Sequence, residues 1–105
     1  MIIKKKEAAR EKLHGITSLT LAHLKQLQMT MTVFHKSDIF PKHSHLHEQG
    51  GFVVNGKINL IIDNKVHTLE AGDSFVISSY VEHSFEALEE TEVLNVFSPP
   101  RAEGG

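Results

Sequence analysis

The sequence predicts an all-β fold, either a sandwich or a small barrel of the jelly-roll kind. Short stretches of alternating apolar and polar residues recur about every ten residues, separated by turns rich in Gly, Asn and Asp. No long helical period competes with this pattern. Strands of this length enclose an interior just large enough for a metal ion and a small ligand.

Size and composition limit the classes of protein that this chain can be. Its 105 residues are one domain's worth, with 40% hydrophobic and 23% charged residues. A formal net charge of −2 offers no attraction for nucleic acid or an anionic membrane. Cysteine is absent, and neither a signal-peptide apolar region nor a run of roughly 20 apolar residues is found. We therefore expect a soluble, cytoplasmic domain with no nucleic-acid or membrane partner.

The pattern of apolar and polar residues in the first half of the chain changes at Gly15. Residues 7–13 hold good helix formers in a short polar run, which predicts a turn of helix or a flexible lead-in. Period-two patterns follow and predict strands over residues 16–21 and 29–34. We therefore divide the chain into an N-terminal extension, residues 1–14, and a β-barrel domain, residues 15–105.

The second half contains the remaining predicted strands. Pro41 favours an extended entry into a histidine-rich stretch, and Asn55-Gly56 is the strongest hairpin signal, between residues 52–54 and 57–62. Further strands are predicted over residues 66–69, 74–77, 83–87 and 93–97. The tail, residues 98–105, should lie over the barrel or fray.

The histidines of the central stretch predict a metal site. His43, His45 and His47 alternate, and Gln49 follows at the same spacing, so in an extended strand all four would share one face. Converging imidazoles favour a bound first-row metal ion. With His83 from a later apolar run, the hypothesis is a divalent Mn, Fe, Ni or Zn ion held by His43, His45, Gln49 and His83.

Two neighbours are the nearest substitutes for Gln49 as the fourth ligand. His47 should face inward by alternation, and Glu48 should face outward. Irregular backbone at Gly50 could change which of these side chains reaches the metal.

Two segments, HSHLHEQGGFVVNG and AGDSFVISSYVEH, resemble the two signature motifs of the cupin superfamily. The first motif has two histidines one residue apart, an acidic residue four positions on, and then a glycine; the second opens with glycine and ends in a metal-binding histidine. The matching residues are His43, His45, Gln49, Gly56, Gly72 and His83. The resemblance covers residues 29–101 and implies a cupin-type jelly-roll β-barrel that forms a homodimer. Gln49 stands where Glu is usual, and Ser78 and Tyr80 stand where Pro and Gly are usual.

The segments HSHLHEQ and VLNVFSPPR are similar to those of a narrower group of single-domain cupins, which includes the uronate-linearising proteins of pectin and alginate breakdown. That resemblance implies a metal held by three His and one Gln, and catalytic Asp, Phe and Arg residues near the closing strand. Phe97 and Arg101 match, but Asn95 occupies the Asp position. The resemblance therefore extends to the metal ligands. It does not extend directly to the activity, because an amide is not a general base at neutral pH.

The expected function is a metal-dependent lyase, isomerase or tautomerase acting on a small sugar acid or similar carboxylate. Arg101 would bind the substrate carboxylate, and the proton would move through water, His47, Glu86 or Tyr80. One alternative is a metal-dependent dioxygenase, although Gln49 removes the carboxylate of the usual iron triad. Another is a non-catalytic small-molecule-binding module, which Asn95 favours.

Overall fold

Ten β-strands in two antiparallel sheets make up the computed structural model, which describes residues 1–101. Residues 102–105, the end of the predicted barrel domain and of its tail, lie outside the described residues. A 3₁₀ turn, Lys5–Glu7, comes first. The strands are β1 (Ala9–Leu13), β2 (Ile16–His23), β3 (Gln28–Phe34), β4 (Ile39–His43), β5 (Glu48–Asn55), β6 (Lys57–Ile62), β7 (Lys65–Glu70), β8 (Ser74–Ile77), β9 (His83–Ala87) and β10 (Thr91–Ser98).

The strands are distributed between two sheets, as in a jelly roll. One sheet has six strands in the order β1-β2-β3-β10-β5-β8, and the other has four in the order β4-β9-β6-β7. After β3 the chain crosses between the sheets at nearly every connection, so strands that are distant in sequence become neighbours. The all-β jelly-roll prediction is confirmed. Within residues 1–101, no helix is long and apolar enough to cross a membrane.

The hydrophobic core lies between the two sheets. Strand β10 shows why: Thr91, Val93, Asn95 and Phe97 are buried and alternate with half-buried residues, because successive side chains point to opposite faces of a sheet. Each large apolar side chain removed from water contributes about 1.5–3 kcal/mol. The clustered core residues are Ile16, Phe34, Val53, Ile58, Leu60, Ile77, Phe85, Ala87 and Val93.

The turn of helix or flexible lead-in predicted over residues 7–13 is wrong for most of that segment. Ala9–Leu13 forms strand β1, which pairs with β2 through a two-residue turn at His14 and Gly15. Both turn residues have positive φ, 54° and 77°, as a type I′ hairpin requires. Pairing with β2 therefore overrides the helix propensity of the short polar run. The division of the chain at residue 14 stays a prediction.

The hairpin predicted at Asn55-Gly56 is also wrong, because β5 and β6 belong to different sheets. Gly56 turns the corner with a φ of 90°, and the Asn55 side chain bonds Glu92, its Nδ2 donating to Oε1 at 2.6 Å. The β6–β7 hairpin turns instead at Asp63 and Asn64, whose φ values are 50° and 64°. The signal was that of a sharp turn, but it did not specify which strands the turn joins.

We expect Gly56→Ala to lower the free energy of unfolding by about 2–4 kcal/mol. A Cβ there would meet the carbonyl oxygen of Glu90 and lie 2.7 Å from Thr91 Cα, at a φ that strains any L side chain. Urea denaturation of the variant checks this expectation. Gly50→Ala is the matched control, because a Cβ at Gly50 meets nothing within 4 Å. Equal stability of the two variants would contradict the prediction.

Candidate metal centre

Three histidines converge at one end of the space between the sheets. His43 ends β4 and His83 begins β9, where the two residues are cross-strand partners with ring centroids 4.2 Å apart. His45, in the connection to β5, lies 4.9 Å from His83 and 5.4 Å from His43 between ring centroids. One ring nitrogen from each histidine lies within 4.8 Å of the others. This grouping is small enough to hold one metal ion.

A backbone carbonyl sets the tautomer of each imidazole. Nδ1–H donates to a carbonyl oxygen two residues away in every case: His43 to Pro41 at 2.9 Å, His45 to His47 at 2.8 Å and His83 to Val81 at 2.9 Å. A carbonyl can only accept, so Nδ1 carries the proton and Nε2 carries a lone pair. Metal-binding histidines have this arrangement, in which a hydrogen bond to one nitrogen orients the other toward the ion.

His83 Nε2 provides a direct test of fit. This atom is buried, and it has no hydrogen-bond partner among residues 1–101. An unpartnered acceptor in the interior costs about 1–3 kcal/mol unless something binds it. A metal ion at the three-histidine group would satisfy this nitrogen, so the residues present fit the ion that the sequence predicts.

Burial also keeps the imidazoles neutral. The pKa of His43 is lowered from its ordinary value of 6.5 to about 4, and desolvation is the largest cause; the hydrogen bond to Pro41 acts in the opposite direction. Desolvation is likewise the largest cause of the lowered pKa values of His45 and His83. Neutral imidazole is the form that ligates a metal, so the site is ready for an ion at pH 7.

Gln49 brings an amide oxygen to the same point. It is 5% exposed on β5, and its Oε1 lies 3.2 Å from His45 Nε2. Because His45 donates through Nδ1, its Nε2 has no proton to give, and two lone-pair atoms face each other. A cation between them would turn this unfavourable approach into a favourable one.

Asn95 holds the Gln49 amide in that orientation. Gln49 Nε2 donates to Asn95 Oδ1 at 3.0 Å, and Asn95 Nδ2 donates to Thr32 Oγ1 at 2.9 Å. Thr30 Oγ1 and the carbonyl oxygen of Val93 each lie 3.3 Å from the same Nδ2. Asn95 is 4% exposed, and both ends of its amide bond protein groups.

A cavity of about 450 Å³ opens beside this cluster. The Arg101 guanidinium lies 5.2 Å from the centre of the Phe97 ring and lines the cavity, and its Nε is buried without a partner among residues 1–101. Burial lowers the pKa of Arg101, and the Glu11 carboxylate acts in the opposite direction. The other polar lining includes Ser18, Thr20, Thr30, Thr32 and Gln28. Hydroxyls and a guanidinium suit a polar, anionic ligand.

The family follows from these motifs and this fold. The cupin domain family matches residues 30–97, which include the three histidines, Gln49 and Asn95. The chain belongs to the cupin family. The pectin degradation protein KdgF of Dickeya dadantii (strain 3937) is 31% identical over 91 residues, which cover 85% of this chain and 83% of that protein.

Two solved structures have the same architecture as this cupin. KdgF from Halomonas sp. superposes with a TM-score of 0.90 at 27% identity, covering 98% of this chain and 96% of that chain. An RmlC-like cupin from Shewanella frigidimarina NCIMB 400 also gives a TM-score of 0.90, at 25% identity over 97% and 93% of the two chains. Both cover nearly the whole cupin, including strand β1.

The side chains of the histidine stretch alternate as predicted, although the strand does not continue through it. Strand β4 ends at His43 and β5 begins at Glu48, so His45 and His47 lie in a loop and Gln49 belongs to the other sheet. Burial nevertheless alternates, with His43, His45 and His47 half-buried and Gln49 buried. Glu48 is exposed, as expected. His47 lies next to His45, with ring centroids 5.6 Å apart, and is not one of the three clustered histidines.

Two of the side chains that the sequence suggested for proton transfer lie away from the cavity of the cupin. Tyr80 is 66% exposed and Glu86 is exposed on β9, and neither lines the cavity. Glu11, which sequence reasoning missed, does line it. The signal that was missed is the spacing of two residues between Glu11 and Leu13, directly before the turn at His14 and Gly15. This spacing is typical of a hairpin strand.

We expect the metal-free cupin to lose stability as the pH falls from 7.5 to 5. The unfolded chain binds protons at His43 near pH 6.5, whereas the folded chain does so only near pH 4, so acid favours unfolding over this range. His43 alone accounts for roughly 1–2 kcal/mol at pH 5. Urea denaturation after chelator treatment measures the slope.

Two variants test the origin of this pH dependence. His43→Gln should flatten the slope, since the non-titrating amide binds no proton in either state. His67→Gln, on the exposed strand β7, should leave it unchanged. A wild-type stability that is equal at pH 7.5 and pH 5 would show that the buried imidazoles do not resist protonation.

Proposed function

We propose that this cupin is a metal-dependent isomerase, lyase or tautomerase that acts on a small cyclic sugar acid, with His43, His45, Gln49 and His83 as the metal ligands. The observation that carries the proposal is the convergence of proton-free acceptor atoms. His83 Nε2 is buried and has no partner among residues 1–101, and His45 Nε2 faces Gln49 Oε1 at 3.2 Å. A divalent cation is the group that satisfies all of these atoms at once.

The ligand set indicates the chemistry that a bound metal would supply. Three imidazoles and one amide are all neutral, so a divalent Mn, Fe, Ni or Zn ion keeps its full charge and acts as a Lewis acid on a substrate hydroxyl or carbonyl. The protein's own contribution is to orient the ligands through the three Nδ1–carbonyl hydrogen bonds and through Asn95.

The cavity supports a sugar acid as the substrate class. Arg101 is half-buried and stacked on Phe97, and its Nε has no partner in the part of the chain that the structure describes, which suits charge-assisted pairing with a carboxylate. The hydroxyls of Ser18 and Thr20 line the same space and can bond a polyol. The similarity to a pectin degradation protein supports this class, because pectin is a polymer of uronic acid.

A non-catalytic binding module is the second candidate, and Asn95 favours it. Its amide has no basic atom, and its hydrogen bonds go to Gln49, to Thr32 of the neighbouring strand β3 and to Val93 of its own strand. Such a module would bind the sugar acid and metal without converting the acid. The dioxygenase alternative has less support, because the clustered ligands include no carboxylate.

We expect about one equivalent of Mn, Fe, Ni or Zn per chain in tag-free protein, measured by plasma mass spectrometry. His83→Ala should lose the metal, because it removes a buried ligand, whereas His67→Ala, on the exposed strand β7, should retain it. Unchanged metal content in His83→Ala would overturn the ligand set. The loaded protein should then convert one member of a panel of cyclic uronates, saturated and 4,5-unsaturated, to its linear form in proton NMR spectra.

The same experiment separates the alternatives. Conversion that is abolished by a chelator and indifferent to oxygen supports the isomerase class. Tight binding of a uronate without conversion supports the binding module. Products that form only in the presence of oxygen support a dioxygenase.

We further propose that the cupin is a homodimer that pairs through the outer face of its six-stranded sheet. Phe52 and Val76 are 43% and 83% exposed there and border a shallow groove with Leu94 and Val96. The residues lining this groove are uncharged, so two copies can meet without repulsion between like charges.

A cytoplasmic location stays a prediction from the sequence.

We expect sedimentation velocity at micromolar concentration to show a dimer, and Val76→Asp to shift it to the monomer by placing a charge at the centre of the contact. Val66→Asp is the matched control, since Val66 is 62% exposed on β7 of the other sheet. A monomeric wild-type protein, or a dimer that Val76→Asp leaves intact, would exclude this surface.

A further inference from the structure

Strand β1 brings a carboxylate into the cavity. Among the described residues that line it, Glu11 is the acidic one, and Asn95 offers an amide where a carboxylate would be expected by resemblance. A reaction that opens or tautomerises a sugar ring needs a group that accepts a proton and returns it. Glu11 is half-buried, so its carboxylate is partly withdrawn from solvent and still accessible to a ligand.

The register of the sheet explains why Glu11 points inward. Glu11 pairs with Ser18, Ser18 with Thr32, and Thr32 with Val93, so the four residues form one cross-strand row. Val93 is buried in the core, and Ser18 and Thr32 line the cavity. Side chains in one row share a face of the sheet, which places the Glu11 carboxylate inside.

A chain of ring contacts places this strand opposite the metal ligands. His14, directly after β1, packs edge-on against Phe40 of β4 with ring centroids 4.9 Å apart. Phe40 in turn lies 4.9 Å from the ring of His43. The end of β1 thus reaches the edge of the four-stranded sheet, and Glu11, Phe40 and His43 line one cavity.

Charge links Glu11 to the expected carboxylate-binding group. The Glu11 carboxylate raises the pKa of Arg101 against the effect of burial, so the two side chains act on each other within the cavity. No ion pair within 4.0 Å joins them in residues 1–101, so direct contact with Glu11 does not occupy the Arg101 guanidinium. A uronate bound through its carboxylate at Arg101 would extend toward Glu11.

We propose that Glu11 is the proton-transfer residue of the reaction, an inference that rests on the proposed function. Glu11 accepts the proton of the anomeric hydroxyl of a cyclic uronate as the carbonyl bond forms at that carbon. The bond between this carbon and the ring oxygen breaks, and its electron pair goes to the ring oxygen. Glu11 then returns the proton to the ring oxygen, so the net reaction is an isomerisation that needs no other reagent.

The other titratable groups of the cavity are less suited to this role. His23 is exposed, and its Nδ1 donates to the carbonyl oxygen of Leu21 at 3.3 Å. His43 is a proposed metal ligand, so its free nitrogen is committed. The guanidinium groups of Arg10 and Arg101 are hydrogen-bond donors and offer no acceptor atom.

The test compares wild type, Glu11→Gln and Glu7→Gln, all loaded with metal, on the uronate that the wild type converts. Glu11→Gln should lower kcat at least about 100-fold, since general acid–base catalysis contributes that factor or more, while KM stays within about threefold. Metal content and the thermal melting curve should match the wild type, which shows that the site is assembled. Glu7→Gln is the matched control, because Glu7 is exposed in the 3₁₀ turn and does not line the cavity.

Each outcome separates this proposal from the one on which it rests. If wild type converts a uronate and Glu11→Gln does so at the same kcat, the role of Glu11 is excluded and the proposed function stands. If Glu11→Gln changes KM alone, Glu11 is only the charge partner of Arg101, and the proposal is again overturned. If wild type converts no uronate, both proposals fall together.

Discussion

Three hydrogen bonds between imidazole Nδ1–H groups and backbone carbonyls are the constraint on which the candidate site depends. Each joins a histidine to a residue two positions away, so the backbone of the strand ends and loops sets the direction of the ring. With Nδ1 committed, Nε2 presents a lone pair to the interior. Burial then keeps the rings neutral by lowering the pKa of each. Geometry, tautomer and charge state together therefore prepare these three histidines to hold a metal ion.

Strand β10 joins this site to the core of the protein. Val93, Asn95 and Phe97 point inward in succession, so one strand contributes a core residue, an amide that orients Gln49, and an aromatic ring between His45 and Arg101. Buried polar groups are tolerated here because Asn95 satisfies both ends of its amide. Asn95 thus forms a fixed hydrogen-bond bridge between Gln49 on strand β5 and Thr32 on strand β3.

The N-terminal hairpin forms part of the wall of the cavity. Strand β1 forms the edge of the six-stranded sheet and, through the contact of His14 with Phe40, reaches the edge of the other sheet. The cavity is therefore walled by a segment that lies before the residues matched by the cupin domain family. Glu11 on this strand brings a carboxylate to the cavity that Asn95 also lines, and the two residues lie on the inner face of one six-stranded sheet.

The sequence by itself determined the local features of this cupin: the strands after residue 15, the inward alternation of His43, His45 and Gln49, and the sharp turns at glycines. Those features depend on neighbours within a few residues, and a period of two or a positive φ is visible in the chain. The tertiary structure decided that β5 and β6 belong to different sheets, that residues 9–13 form a strand, and that Glu11 lines the cavity. It also decided that His83 pairs with His43, 40 positions earlier in the chain. Pairing and register between distant strands arise from the packing of two whole sheets, and no local pattern encodes which strands will meet.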